Sequence, residues 1–285
     1  MNAETFGLGP ICVSDEFSVP RCPKSVNTPC GVSRCARLSP VTDLPRLHQN
    51  RQTVSLSLDT SLIQSVMLLD NPTELVLDYT RTMMGCLLLC PAPVSALMIG
   101  LGGGSIPKYC HAHNPTLDIT VVEINPEVIA LRDDFMIPSD DARFRIVCAD
   151  GAAFVKAPPQ RYDLIMVDGY DGQGLPDALC SRSFYQHCKN ALSDNGLLVL
   201  NLQADTSQCR QLLSRLNKLF EGQVLSIESD EGGNDILFAS SPQTLAASQT
   251  SFSTRWAALD PIHQQTLAVC STRIERALRR MPTSA

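Results

Sequence analysis

At 285 residues, with 44% hydrophobic residues and no low-complexity run, the chain has the length for one large α/β domain with appendages. No stretch approaches the ~20 apolar residues of a membrane span. The formal net charge of −6 argues against a sequence-independent grip on nucleic acid, which depends on Lys and Arg neutralising phosphates, and suits a cationic partner.

Residues 1–50 are rich in Pro, Ser and Cys and carry no helical or strand periodicity, which predicts a flexible leader. Pro10, Asp15, Glu16 and Pro20 interrupt every apolar run in residues 1–30, so no export signal is expected and a cytoplasmic location follows. Cys12, Cys22, Cys30 and Cys35 contain no Cys-x-x-Cys pair, and no metal is expected.

A small β element and a helix are predicted over residues 51–92. Residues 53–58 alternate as a half-buried strand, Asp59-Thr60 reads as a turn, and residues 62–67 supply a second strand. Residues 72–89 place Leu75, Tyr79, Met83 and Leu87 at helical spacing, with Pro72-Thr73-Glu74 as the start signal. From residue 93 to 245, short apolar runs alternate with helical segments. Strands are expected at 96–100, 119–124, 144–149, 164–168 and 197–202, and helices from near Ser105, Pro126, Gly151, Ser181 and Thr206. Such alternation predicts a mostly parallel sheet covered on both faces, in which Cys148 would be buried. Residues 224–227 and 236–239 read as an antiparallel hairpin at its edge. Residues 246–285 form a tail, helical from Ser251 to Arg280, with Arg273, Arg276, Arg279 and Arg280 on a solvated face.

Ligands of open α/β sheets bind beyond the carboxyl ends of the strands, so the residues that close each strand carry the functional information. The first strand runs into Gly100-Leu101-Gly102-Gly103-Gly104-Ser105, where the backbone can approach a ligand before a helix begins. Ser105 departs from the dinucleotide fingerprint G-x-G-x-x-G, which disfavours a nicotinamide dinucleotide. Glu123 closes the second strand, placed to accept from ribose hydroxyls. Asp150-Gly151 closes the third, placed to accept from an adenine amino group. Asp168 closes the fourth, and Asp171 follows it. Each acid taken alone could be a helix cap. Together on one rim they point to a nucleoside bearing positive charge, such as an adenosyl sulfonium.

These residues resemble the spermidine synthases, or polyamine aminopropyltransferases, and especially their bacterial spermidine-synthase-like branch. The matching pieces are Leu58-Asp59-Thr60-Ser61-Leu62-Ile63-Gln64, Tyr79, residues 99–105, Val121-Val122-Glu123-Ile124, Asp150-Gly151 and Asp168-Gly169-Tyr170-Asp171, in the family's order over about residues 53–240. The resemblance implies a Rossmann-like methyltransferase fold with a seven-stranded, mostly parallel sheet, a small N-terminal β element and a homodimer. It implies that Gln64, Gly100, Gly102, Gly104, Glu123, Asp150 and Gly151 bind decarboxylated S-adenosylmethionine or S-adenosylmethionine. It further implies that Tyr79, Tyr170 and Asp171 hold an amine substrate such as putrescine, and that Asp168 and Asp171 are catalytic. Three departures fall on the amine side of the site. Gly103 stands where the family usually has Asp, Arg81 where it has Glu, and Gly172 where it has Pro. Aminopropyl transfer, methyl transfer from S-adenosylmethionine and nucleoside binding without turnover all fit these residues.

Overall fold

The computed structural model describes residues 44–58 and 63–281. The leader reading for residues 1–43, with its four cysteines, and the Asp59-Thr60 turn lie outside the described residues. Three short strands, β1 (Arg46–Gln49), β2 (Thr53–Ser57) and β3 (Ile63–Leu68), pair antiparallel in that order. β1 corrects the expectation of an unstructured stretch up to residue 50. It is exposed along most of its length and so carries no alternation for the sequence to reveal. In β2 the alternation is real, with Val54 and Leu56 buried.

Next come α1 (Asp78–Met84) and α2 (Cys86–Leu89). The helix expected from Pro72 begins only at Asp78 and breaks at Gly85. The reason is local: the Arg81 guanidinium donates to the Leu75 and Val76 carbonyls at 2.8 and 2.9 Å, holding the segment before Asp78 as a loop.

The main domain then follows as β4 (Ser95–Ile99), α3 (Ser105–His113), β5 (Asp118–Glu123), α4 (Pro126–Ala130), β6 (Phe144–Cys148) and α5 (Gly151–Lys156). It continues as β7 (Tyr162–Val167), α6 (Asp177–Cys180), α7 (Arg182–Ala191), β8 (Leu192–Gln203) and α8 (Ser207–Leu219). The last elements are β9 (Val224–Glu228), β10 (Asn234–Ala239), α9 (Pro242–Ala258) and α10 (Pro261–Arg280). Seven strands form one sheet in the order β6-β5-β4-β7-β8-β10-β9, parallel from β6 to β8 and antiparallel through β10 and β9. Strand order reverses between β4 and β7, which is where such sheets open a ligand crevice. Both faces are covered, because successive residues of a strand point to opposite sides. Ala96 and Met98 of β4 pack into the core shared with α1, α2 and α10, whereas Leu97 and Ile99 pack into the core shared with α7 and α8.

The C-terminal region is two helices rather than one. Pro242 opens α9 and Pro261 opens α10, and the chain breaks at Asp260-Pro261 because the residue before proline is driven out of the helical region. Leu267, Cys270, Ile274 and Leu278 of α10 are buried. Arg273 is not on a purely solvated face, since it pairs with Asp230 in the β9–β10 turn, whose backbone N–H donates to the buried Asp78 of α1. Cys148 is exposed, contrary to expectation, because it ends the edge strand β6.

Candidate active site

A cavity of about 310 Å³ opens at the carboxyl ends of β4, β5 and β7 and is closed on its other sides by β3 and α1. Gln64, Tyr79, Gly100, Gly102, Glu123, Asp150, Gly151, Asp168, Tyr170 and Asp171 all line it. Gly104 does not. It is the left-handed N-cap of α3 (φ +64°), and a Cβ there would meet Ile137 at 2.7 Å, so its role is in the turn and its packing.

The acids are held in distinct ways. Glu123 Oε2 accepts from Leu101 N at 2.9 Å and Oε1 from Asn125 N at 2.8 Å, which ties the glycine-rich loop to the end of β5. Burial raises the Glu123 pKa, and these backbone donors oppose the rise. Asp150 Oδ1 caps α5 by accepting from Ala152 N and Ala153 N at 2.7 and 3.2 Å. The cap employs one carboxylate oxygen, and the residue also lines the cavity. Asp171 Oδ1 accepts from Gln173 N at 2.8 Å within a tight turn closed by Asp171 N and Gly174 O at 2.9 Å.

Asp168 continues β7, its N–H donating to Ile99 O at 2.9 Å. Burial pushes its pKa up, against hydrogen bonding from Asn201 and Tyr79. A carboxylate in that state is a stronger base than one in water. Tyr79 on α1 places its hydroxyl 3.3 Å from Gln64 O and within hydrogen-bonding reach of Asp168, and its own pKa is raised well above the usual value by burial and by the charge of Asp168. The phenol therefore stays protonated. Tyr170 has its hydroxyl committed to the backbone, donating to Asn201 O at 3.1 Å and accepting from Gln203 N at 2.8 Å, so only its ring serves the cavity.

Two contributors were missed in the sequence. Ser65 of β3 lines the cavity and accepts from Gly103 N through Oγ at 2.9 Å, coupling the small sheet to the glycine-rich loop. Asn201 of β8 donates through Nδ2 to Asp168 Oδ1 at 2.8 Å. Its signal was available: a single amide inside the apolar run Leu197-Leu198-Val199-Leu200-Asn201-Leu202, buried at 4% exposure. Buried amides are rarely left without partners.

Among the described residues no group of His, Cys, Asp and Glu is placed to hold a metal ion, and no helix is long and apolar enough to cross a membrane. The family model of the spermine/spermidine synthase domain matches residues 77–222, which span the glycine-rich loop, Glu123, Asp150, Asp168 and Asn201. The chain belongs to the spermine/spermidine synthase family. It is 42% identical over 193 residues to a polyamine aminopropyltransferase of Neisseria meningitidis serogroup A, covering 66% of this chain and 73% of that protein. It is 32% identical over 179 residues to an eEF1A lysine and N-terminal methyltransferase of Xenopus laevis, covering 56% of this chain but 26% of that protein. The fold is similar to the crystal structure of a probable spermidine synthase from Corynebacterium glutamicum, with a TM-score of 0.63 and 20% identity over 76% of this chain and 85% of the other.

Two of the three departures from the family pattern, Gly103 and Arg81, have local explanations. A Cβ at Gly103 would meet the Phe135 ring at 2.7 Å and Ser65 Cβ at 2.9 Å, so this loop has no room for the usual acid. Arg81 does not line the cavity, its guanidinium being bound to the Leu75 and Val76 carbonyls.

Proposed function

We propose that this spermidine synthase family member transfers an aminopropyl group from decarboxylated S-adenosylmethionine to a small amine such as putrescine. The observation that carries the proposal is the charge of the cavity. Among the described residues lining it are Glu123, Asp150, Asp168 and Asp171, and no Lys, Arg or His. Such a lining suits a ligand that is cationic at both sulfonium and amine. A carboxylate on the cofactor would have no cationic partner there among the described residues, and each like-charge contact at ~6 Å costs about 3 kcal/mol at an effective dielectric constant of ~20. Methyl transfer from S-adenosylmethionine is the weaker reading for that reason.

When bound, the sulfonium supplies an electrophilic carbon and a neutral thioether leaving group. The protein's task is to deliver an amine in its reactive form. An alkyl amine with a pKa near ~10.4 is mostly protonated at neutral pH, so a base must take a proton before nitrogen can form the new C–N bond. Asp168, made more basic by burial, takes that proton. Asp171 holds the ammonium form on arrival, the Tyr79 and Tyr170 rings flank it with cation–π contact, and Glu123 and Asp150 anchor ribose and adenine. We place this activity in a cytoplasmic homodimer that acts on a small molecule and not on nucleic acid.

The test is calorimetric titration with decarboxylated and intact S-adenosylmethionine, followed by mass spectrometry of the products formed with putrescine. Tighter binding of the decarboxylated form by about tenfold or more, with a product heavier by one aminopropyl group, supports the proposal. Preference for intact S-adenosylmethionine and a methylated product would replace it.

A further inference from the structure

Asp168 is gripped from the sheet as well as by its own strand. Asn201 Nδ2 donates to Asp168 Oδ1 at 2.8 Å, and Asn201 Oδ1 accepts from Asn234 Nδ2 at 2.8 Å. Asn201 pairs across the ladder with Ile236, and Asn234 lies two residues along β10 from Ile236, so the two amides are diagonal neighbours on one face of the sheet. Their orientation follows from chemistry. An ionised carboxylate only accepts, so the atom Asn201 turns toward it is nitrogen. The Asn201 oxygen then points to β10, where a donor meets it. Two amide dipoles thus line up head to tail with the positive end on Asp168. The backbone of the relay is pinned by the Tyr170 hydroxyl, which donates to Asn201 O at 3.1 Å.

We infer that Asn201, anchored by Asn234, is a positioning residue for Asp168: it holds Oδ1, leaves Oδ2 to receive the proton of the amine, and keeps the carboxylate ionised within the cavity. This rests on Asp168 being the base. Among the described residues, the groups facing Asp168 are few. Tyr79 comes from α1 and Tyr170 from the loop after β7, both phenols held protonated, and Glu123, Asp150 and Asp171 share the cavity wall. Of the groups that oppose the effect of burial on Asp168, Asn201 is the largest and Tyr79 the second. No cationic side chain of the described residues lines the cavity to take over that work.

Removing the amide donor raises the pH at which Asp168 ionises, so the acidic limb of kcat/KM must move to higher pH. The experiment is the pH profile of the full chain with decarboxylated S-adenosylmethionine and putrescine, for wild type, Asn201→Ala, Asn234→Ala and the double variant. Asn201→Ala is expected to shift the limb upward by about one pH unit, lowering activity below it about tenfold, with calorimetric cofactor affinity kept within about twofold. Asn234→Ala should shift it less in the same direction and add nothing in the Asn201→Ala background, because its effect passes through Asn201. An unmoved limb in folded Asn201→Ala, or additive shifts in the double variant, overturns the inference. Should Asn201→Ala fail to fold, Asn234→Ala decides alone, and an unmoved limb there counts against it equally. Wild-type turnover in Asp168→Asn would instead remove the base reading itself, whatever the Asn201 variants do.

Discussion

A Cβ placed on Gly100 would stand 2.1 Å from the carbonyl oxygen of Asp168. The end of β4 and the end of β7 therefore touch backbone to backbone at the point where strand order reverses, and only a residue without a side chain permits it. Gly100 also sits at φ +99°, a region costly to other residues. Gly100→Ala should lower stability by at least about 1–3 kcal/mol from backbone strain alone and displace Asp168. Thermal unfolding and turnover should fall together. An unchanged melting temperature would show that the strand ends can separate freely.

Asp168→Asn keeps the shape and removes the basic oxygen, so turnover should fall by ~10²–10⁴ while cofactor affinity is largely retained. Stability should move the other way. Because the folded pKa is raised, the native state holds its proton more tightly than the unfolded chain, and stability declines as pH rises from the unfolded value of ~3.9 through the folded one. The amide escapes that decline. At neutral pH the variant should melt at or above the wild-type temperature, and the difference should close below about pH 4. Melting curves across pH would check both signs, and a variant less stable only at neutral pH would contradict the burial argument.

Glu123→Ala removes an acceptor from Leu101 N and Asn125 N as well as the proposed ribose ligand. Cofactor binding should weaken by about 1.5–3 kcal/mol, the range for a hydrogen bond to a charged group, and calorimetry reads this directly. Unaltered affinity in a folded variant would place the ribose elsewhere.

Arg81→Gln tests whether the basic residue in the family's acidic position belongs to substrate recognition. With the guanidinium on the Leu75 and Val76 carbonyls, its loss should cost about 1–3 kcal/mol of stability and leave the KM for the amine within about twofold. A large KM change at constant stability would put Arg81 in the amine's path.

The strand-closing acids were legible in the sequence because a parallel sheet delivers every carboxyl end to one rim. Glu123, Asp150 and Asp168 needed only the alternation of strands and helices to be brought together. Asn201, Asn234 and Ser65 depend on which strands become neighbours. That β10 lies beside β8, and β3 beside the glycine-rich loop, is fixed by packing across the whole domain, which a local pattern does not contain. Gly104 is a different case. Its motif is shared with ligand-binding loops, yet its left-handed turn and the Ile137 side chain explain its identity. The helix start at Asp78 and the break before Pro261 mark two kinds of miss: the first turned on side-chain hydrogen bonds from Arg81 to carbonyls five and six residues back, which periodicity does not display, and the second was written in the proline.

The contact between α10 and α1 also shapes how the site comes into being. Cys270 Sγ lies 3.8 Å from the Arg81 carbonyl across a sequence separation of 189 residues. Closing a loop of that size carries an entropic cost that local helix formation does not, and folds that depend on such contacts form more slowly. The α10 side of the wall carrying Tyr79 is thus expected to gain its native support late. During refolding, native-like sheet signals should precede nucleoside binding, and the transient chain lacking the α10 contact would expose the apolar faces of α1 and α2 to misassociation.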